Sequence, residues 1–140
     1  VRTYHTDELI FDMPDEWADK SMNIFVSSAG ERIPFNIVIT RDSLKGEEFG
    51  PFVLQRLREI AKKLGKLRVL GQRERMVGPL RGREARMQWP VQGGTMYQHQ
   101  VYVAYYGEVL TFTASSIIKL ATQCDAYLEQ ILSNIKFRKQ

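Results

Sequence analysis

Residues 95–114 (TMYQHQVYVAYYGEVLTFTA) alternate in character on either side of one turn. β-Branched and aromatic side chains dominate the stretch, and these suit a pleated, half-buried surface. The pattern predicts two strands joined at Tyr106-Gly107, because Gly107 can take the positive φ of a two-residue hairpin turn. That turn fixes a register. Tyr105 faces Glu108, Val103 faces Leu110, Val101 faces Phe112 and His99 faces Ala114, all on one side. Ala104 faces Val109, Tyr102 faces Thr111 and Gln100 faces Thr113 on the other. A slip of one residue would exchange the two sides. The first side is mostly apolar and fit for a core. The second is amphipathic.

Residues 8–12 form a short strand candidate, which Pro14 ends because proline cannot extend a ladder. Residues 21–26 alternate as a strand, and 27–31 read as a turn. In 35–41, Phe35, Ile37 and Ile39 point one way, and Asn36, Val38 and Thr40 the other. A first helix is predicted over 47–64, with Val53, Leu57, Ile60 and Leu64 at helical spacing. Pro51 is tolerated in its first turn. Glu47 and Glu48 suit its start, Lys62 and Lys63 its end, and Gly65 its C-cap. Residues 67–75 and 83–89 read as strands around Gly78-Pro79, and 92–94 turn the chain into the hairpin. A second helix lies within 117–137. Its stripe is Ala121, Cys124, Leu128, Ile131 and Ile135, and Thr122 with Asp125 resembles a capping box. Strands, a helix, four strands and a helix imply α+β, with a mostly antiparallel β-sheet flanked by two main helices. Both helices can cover one sheet face, which leaves the other for a partner.

At 140 residues, one domain over 1–140 is expected, large enough to bury its own core. The net charge of +4 is a mild excess and permits an acidic partner without requiring one. Cys124 is the single cysteine, so an internal disulfide is excluded and a reducing compartment is compatible. No apolar run approaches the roughly 20 residues of a membrane span. The first residues lack the apolar segment of a signal peptide, so a cytoplasmic location is expected, although a start at Val1 leaves processing open.

Little in the sequence points to catalysis. His5 and His99 are the two histidines, and neither has a Cys or carboxylate at metal-ligand spacing. His99 reads as a packed core or edge residue and Cys124 as an inert buried thiol. There is no nucleophile elbow, P-loop or dinucleotide fingerprint. No enzyme activity, metal or cofactor is expected. Arg68, Arg73, Arg75, Arg81, Arg83 and Arg86 could form a phosphate-binding hairpin. A solvated strand surface that discourages edge pairing is the better reading, since Glu74 and Glu84 interrupt the run. Gln98, Gln100 and Tyr102, with Met22 and Ile24, admit two readings. They are ordinary surface-strand residues, or they form an apolar groove that keeps amide donors and acceptors.

Residues 14–25 (PDEWADKSMNIF), 37–42 (IVITRD) and 100–102 (QVY) resemble the Eag family, the effector-associated chaperones of bacterial type VI secretion. That family sits within a DcrB/PsbP/Mog1-like group, and the similarity runs in order through nearly the whole chain. It implies a Mog1/PsbP-like sheet flanked by helices, a homodimer and no catalysis. It also implies a client: the N-terminal transmembrane segments of a secreted toxin, shielded in the cytoplasm while the effector loads onto the secretion spike. Met22 and Ile24 match the apolar strand of the family's groove, and Gln100 matches its strand glutamine. Val38, Gln98 and Tyr102 complete the candidate client-binding set. A family glutamine on the first helix aligns with Arg56 here, beside Gln55, a departure from the pattern. Two other readings stay open: a Mog1-type regulatory module that docks a soluble protein, and an RNA-binding domain that uses the arginines.

Overall fold

The computed structural model describes residues 2–5, 8–16, 22–27 and 35–138. Within these, β1 (Arg2–His5) and β2 (Ile10–Met13) pair as a small antiparallel sheet. The main sheet holds β3 (Asn23–Ser27), β4 (Phe35–Ser43), β5 (Arg68–Val77), β6 (Leu80–Val91), β7 (Gly94–Tyr105) and β8 (Glu108–Ile117). Its spatial order is β3-β4-β8-β7-β6-β5, and every pairing is antiparallel. Helix α1 (Phe49–Lys63) joins β4 to β5, and α2 (Ala121–Ser133) follows β8 through a 3-10 turn. The fold is α+β.

The β7–β8 register is the one the alternation predicts, from Tyr105 opposite Glu108 to His99 opposite Ala114. Tyr106 and Gly107 both have positive φ, 47° and 82°. Two left-handed residues twist a turn in the sense of the flanking strands, which makes the two-residue connection fit. Leu80 pairs with Val77 across Gly78-Pro79, so β5 and β6 run longer than their apolar segments suggest. At the end of α1 the left-handed position is Lys66, φ 60°, and not Gly65.

The two helices pack on opposite faces of the sheet, and not on one face as the sequence suggests. Cys124, Leu128 and Leu132 of α2 pack with Phe35, Ile37, Val101, Val103, Phe112 and Ala114. Phe49, Val53 and Leu57 of α1 pack with Ala85, Met87, Tyr102 and Val109 on the other side. The connections explain the placement. Helix α1 leaves β4 at one edge of the sheet's centre and crosses to β5 at the far edge, whereas α2 folds back from β8. Leu132 takes the buried place expected of Ile131, which is exposed. Thr122 lies inside α2 and Leu120 stands at its N-cap, with no side-chain cap. Asp125 is spent on other partners, described below.

Candidate functional site

Antiparallel partners share a face, so one row crosses all six strands: Ile24, Val38, Thr113, Gln100, Ala85 and Gln72. Thr40, Thr111 and Tyr102 form the next row, and Asn36, Ser115 and Gln98 the row on its other side. Ile24, Val38, Gln98, Gln100 and Tyr102 therefore lie on the α1 face, with Met22 just before β3 and outside the ladder, and they do not form one open groove. Met22 and Ile24 are 57% and 60% exposed at the β3 edge. Val38 and Gln98 are half-buried. Gln100 and Tyr102 are 6% and 1% exposed, because α1 packs over β6 and β7. The Tyr102 hydroxyl donates to Gln100 Oε1, and Gln100 Nε2 donates to Gln98 Oε1 at 3.3 Å. Desolvation raises the Tyr102 phenol well above its usual range, so it remains a donor. Substituting Gln100 would thus orphan a buried hydroxyl, not just clear a surface.

Between α1 and the β4–β8–β7 floor is a recess of about 230 Å³. Thr40, Thr111, Thr113 and Gln100 line its floor, and Arg56, Glu59, Ile60 and Lys63 its helical wall. Arg56 pairs with Asp42 at 3.3 Å and stacks over the Phe52 ring, so the departure from a helix glutamine brings a charged wall. Gln55 is exposed and does not line the recess. Threonine and glutamine give this floor hydrogen-bonding groups beside the apolar strip at β3. Trp17, the centre of the most specific stretch of resemblance, lies outside the described residues, as does the side chain of His5.

The opposite face holds a second assembly that the sequence reading missed. The His99 ring is buried, with Nδ1 2.9 Å from Asp125 Oδ1 and Nε2 2.9 Å from Glu84 Oε2. Tyr97 donates to the same Asp125 oxygen at 2.5 Å. Arg73 and Arg75 both reach Glu84, and Arg75 also grips Glu129 with two nitrogens, one at 3.0 Å. Burial alone would raise the Glu84 carboxyl, but hydrogen bonds from His99, Arg73 and Arg75 outweigh it and hold it below the usual range. The bond from Arg75 does the same for Glu129. Glu84, His99 and Glu129 bring potential ligand atoms within 4.8 Å of one another. The guanidiniums already occupy those carboxylates, so an incoming cation would have to displace two charges, and the cluster is an ion-pair network. Arg75 is therefore no solvated surface residue. The available signal was Glu84 and His99 at positions that alternation assigns to the same face as Val101, with Asp125 and Glu129 one helical turn apart beside an apolar stripe.

The arginines divide between the faces: Arg73, Arg75 and Arg86 lie on the α2 side, Arg81 and Arg83 on the α1 side. Burial lifts the Cys124 thiol to about 11, which keeps it protonated and unreactive.

The sequence pattern of the DcrB family matches residues 8–134, nearly the whole chain. The chain belongs to the DcrB family. Among solved structures, PA94, a Pseudomonas aeruginosa protein of unknown function, superposes with a TM-score of 0.85 at 22% identity, over 99% of this chain and 98% of its own. CyanoP, the PsbP of Synechocystis sp. PCC 6803, gives 0.55 at 7% identity over 94% and 89%. LpqN of Mycobacterium tuberculosis, involved in cell envelope biogenesis, gives 0.52 at 16% over 81% and 82%. These are likenesses of fold. No curated protein sequence matches the chain. The fold presents two unlike sheet faces, and no described helix is long and apolar enough to cross a membrane.

Proposed function

We propose that this DcrB-family protein is a cytoplasmic, homodimeric chaperone that holds the N-terminal transmembrane segments of a type VI secretion effector and helps load it onto the spike. One observation carries the reading: exposed Ile24, with exposed Met22 just before β3, runs into half-buried Val38 and Thr113 and then buried Gln100 along one row of the sheet face. A membrane helix in water exposes about 20 apolar residues. Each large side chain costs roughly 1.5–3 kcal/mol to leave exposed. Such a helix also carries small polar residues at its packing face. A surface that pairs an apolar strip with threonine and glutamine answers both needs. The chemistry is binding and release. No residue is assigned a catalytic role.

The second reading, a Mog1-type regulatory module for a soluble protein, draws on a different observation. Phe25, Phe35, Ile37, Tyr127 and Ile131 line an apolar cleft of about 290 Å³ between β3 and α2. A nucleic-acid partner is left aside, because the arginines split between two faces and Arg73 and Arg75 are engaged with Glu84 and Glu129.

The test is co-expression with a tagged fragment carrying the apolar N-terminal segments of the large protein encoded beside this gene. The chaperone reading expects the fragment to stay in solution and co-purify. A fragment that aggregates equally with and without this protein would contradict it.

A further inference from the structure

We propose that His99 is a proton-operated clasp that fastens α2 to the sheet: the doubly protonated ring bridges Glu84 of β6 and Asp125 of α2, and loss of either ring proton opens the bridge. The argument is one of donors and acceptors. Both ring nitrogens lie 2.9 Å from carboxylate oxygens. An ionised carboxylate only accepts, and a neutral imidazole has a single N–H, whereas the imidazolium has two. The observed geometry is therefore satisfied in full only by the cationic ring. Once neutral, the ring can bond the sheet or the helix, and its bare nitrogen is left against a carboxylate in a buried place.

The surrounding groups sharpen this. From β5, Arg73 and Arg75 hold Glu84 as an anion. From β6, Glu84 faces Nε2, and Arg86 sits directly opposite His99 in the ladder. From β7 itself, Tyr97 donates to Asp125. Neighbouring β8 presents Ala114, which offers no charge. From α2 come Asp125 and, through Arg75, Glu129. The sheet side is tied by two guanidiniums, while among the described residues Asp125 keeps only Tyr97 when the ring lets go and α2 keeps its Arg75–Glu129 pair. The helix is the part that loosens. Its opposite flank carries Tyr127 and Ile131, which wall the apolar cleft beside β3, so the clasp also governs that cleft. A recess of about 400 Å³ lined by Arg73, Glu84, Arg86, His99, Asp125 and Glu129 gives protons access to the ring.

The experiment joins two readouts on the intact protein. Ring ¹⁵N NMR counts the His99 ring protons along a pH series, and amide exchange follows α2 along the same series after correction for intrinsic rates. The expected result is that α2 protection follows the ring's proton count, highest where both nitrogens carry a proton. With one ring proton in place of two, α2 amides exchange about ten-fold faster, the scale of one charged hydrogen bond lost. His99→Gln should abolish the pH dependence. Asp125→Asn serves as a second variant, with the same expectation, should His99→Gln fail to fold. Tyr97→Phe removes the other bond to Asp125 and should speed exchange while keeping the pH dependence. A ring with one proton throughout, or α2 protection that ignores ring protonation, overturns the proposal.

Discussion

Two cores separated by one sheet make a quantitative prediction. Val53, on α1, and Leu128, on α2, are each fully buried, and they belong to clusters on opposite faces. Val53→Ala removes two buried carbons, about 0.8 kcal/mol each in transfer alone. A residual cavity brings the loss to roughly 2 kcal/mol. Leu128→Ala should cost roughly 2–5 kcal/mol by the same reasoning. Between them stand the backbone and side chains of β7 and β8, so neither cavity can relax into the other. The double variant should therefore lose the sum of the single losses to within about 0.5 kcal/mol. The assay is urea unfolding of the four proteins, with midpoints compared at constant m-value. Each kcal/mol should also lower the melting temperature by about 3–4 °C for a chain of this size. A coupling of about 1 kcal/mol or more would show that the two side chains share a core, and would refute the division of the helices between faces.

Acid should weaken the α2 contact. Glu84 and Glu129 have depressed folded-state values, so their stabilisation is present above the ordinary carboxylate range and is lost as pH falls through it, from about pH 5 downward. Urea midpoints measured against pH should show this slope, and Glu84→Gln should flatten it; an unchanged slope in that variant would count against the assignment. Light scattering should find a dimer at micromolar concentration, because among the described residues β3 is an edge strand bearing exposed Ile24, Phe25 and Val26; a monomer would contradict this. Fluorescence polarisation with a single-stranded RNA probe at about 0.1 M salt should show no binding. Tight binding that weakens steeply with added salt would reverse that expectation.

Alternation and turn chemistry made the sheet readable. Tyr106-Gly107 set the register of the central hairpin, and the odd and even residues of β7 fall on the faces their spacing requires. What period alone does not carry is which element covers each face. Tyr102 and Gln100 look like residues of an open amphipathic side, yet α1 buries both. That burial depends on the path from β4 to β5, a three-dimensional property. Ile131 and Leu132 show a smaller version of the same limit: a one-residue rotation of α2 exchanges exposed for buried, and both fit an apolar stripe. Asp125 fits a capping box by spacing, but Tyr97 and His99 claim it across 28 and 26 residues. Long-range polar partners of this kind leave no local trace. At β3 exposure does not follow alternation: Phe25, on the other face, is as exposed as Met22 and Ile24, because an edge strand is little covered on either side.

The central claim is that the exposed apolar strip at β3 holds a client helix, and Ile24→Asp tests it most directly. Ile24 is 60% exposed, so the substitution should leave the fold standing, with circular dichroism and melting temperature close to the parent. Gln100→Ala is a poorer probe, since it orphans the buried Tyr102 hydroxyl. A carboxylate at position 24 would face an apolar helix with no partner, a cost of several kcal/mol. Co-purification of the effector's apolar N-terminal fragment with Ile24→Asp should then fall at least ten-fold. A folded Ile24→Asp protein that retains and solubilises the fragment as well as the parent does would contradict the account.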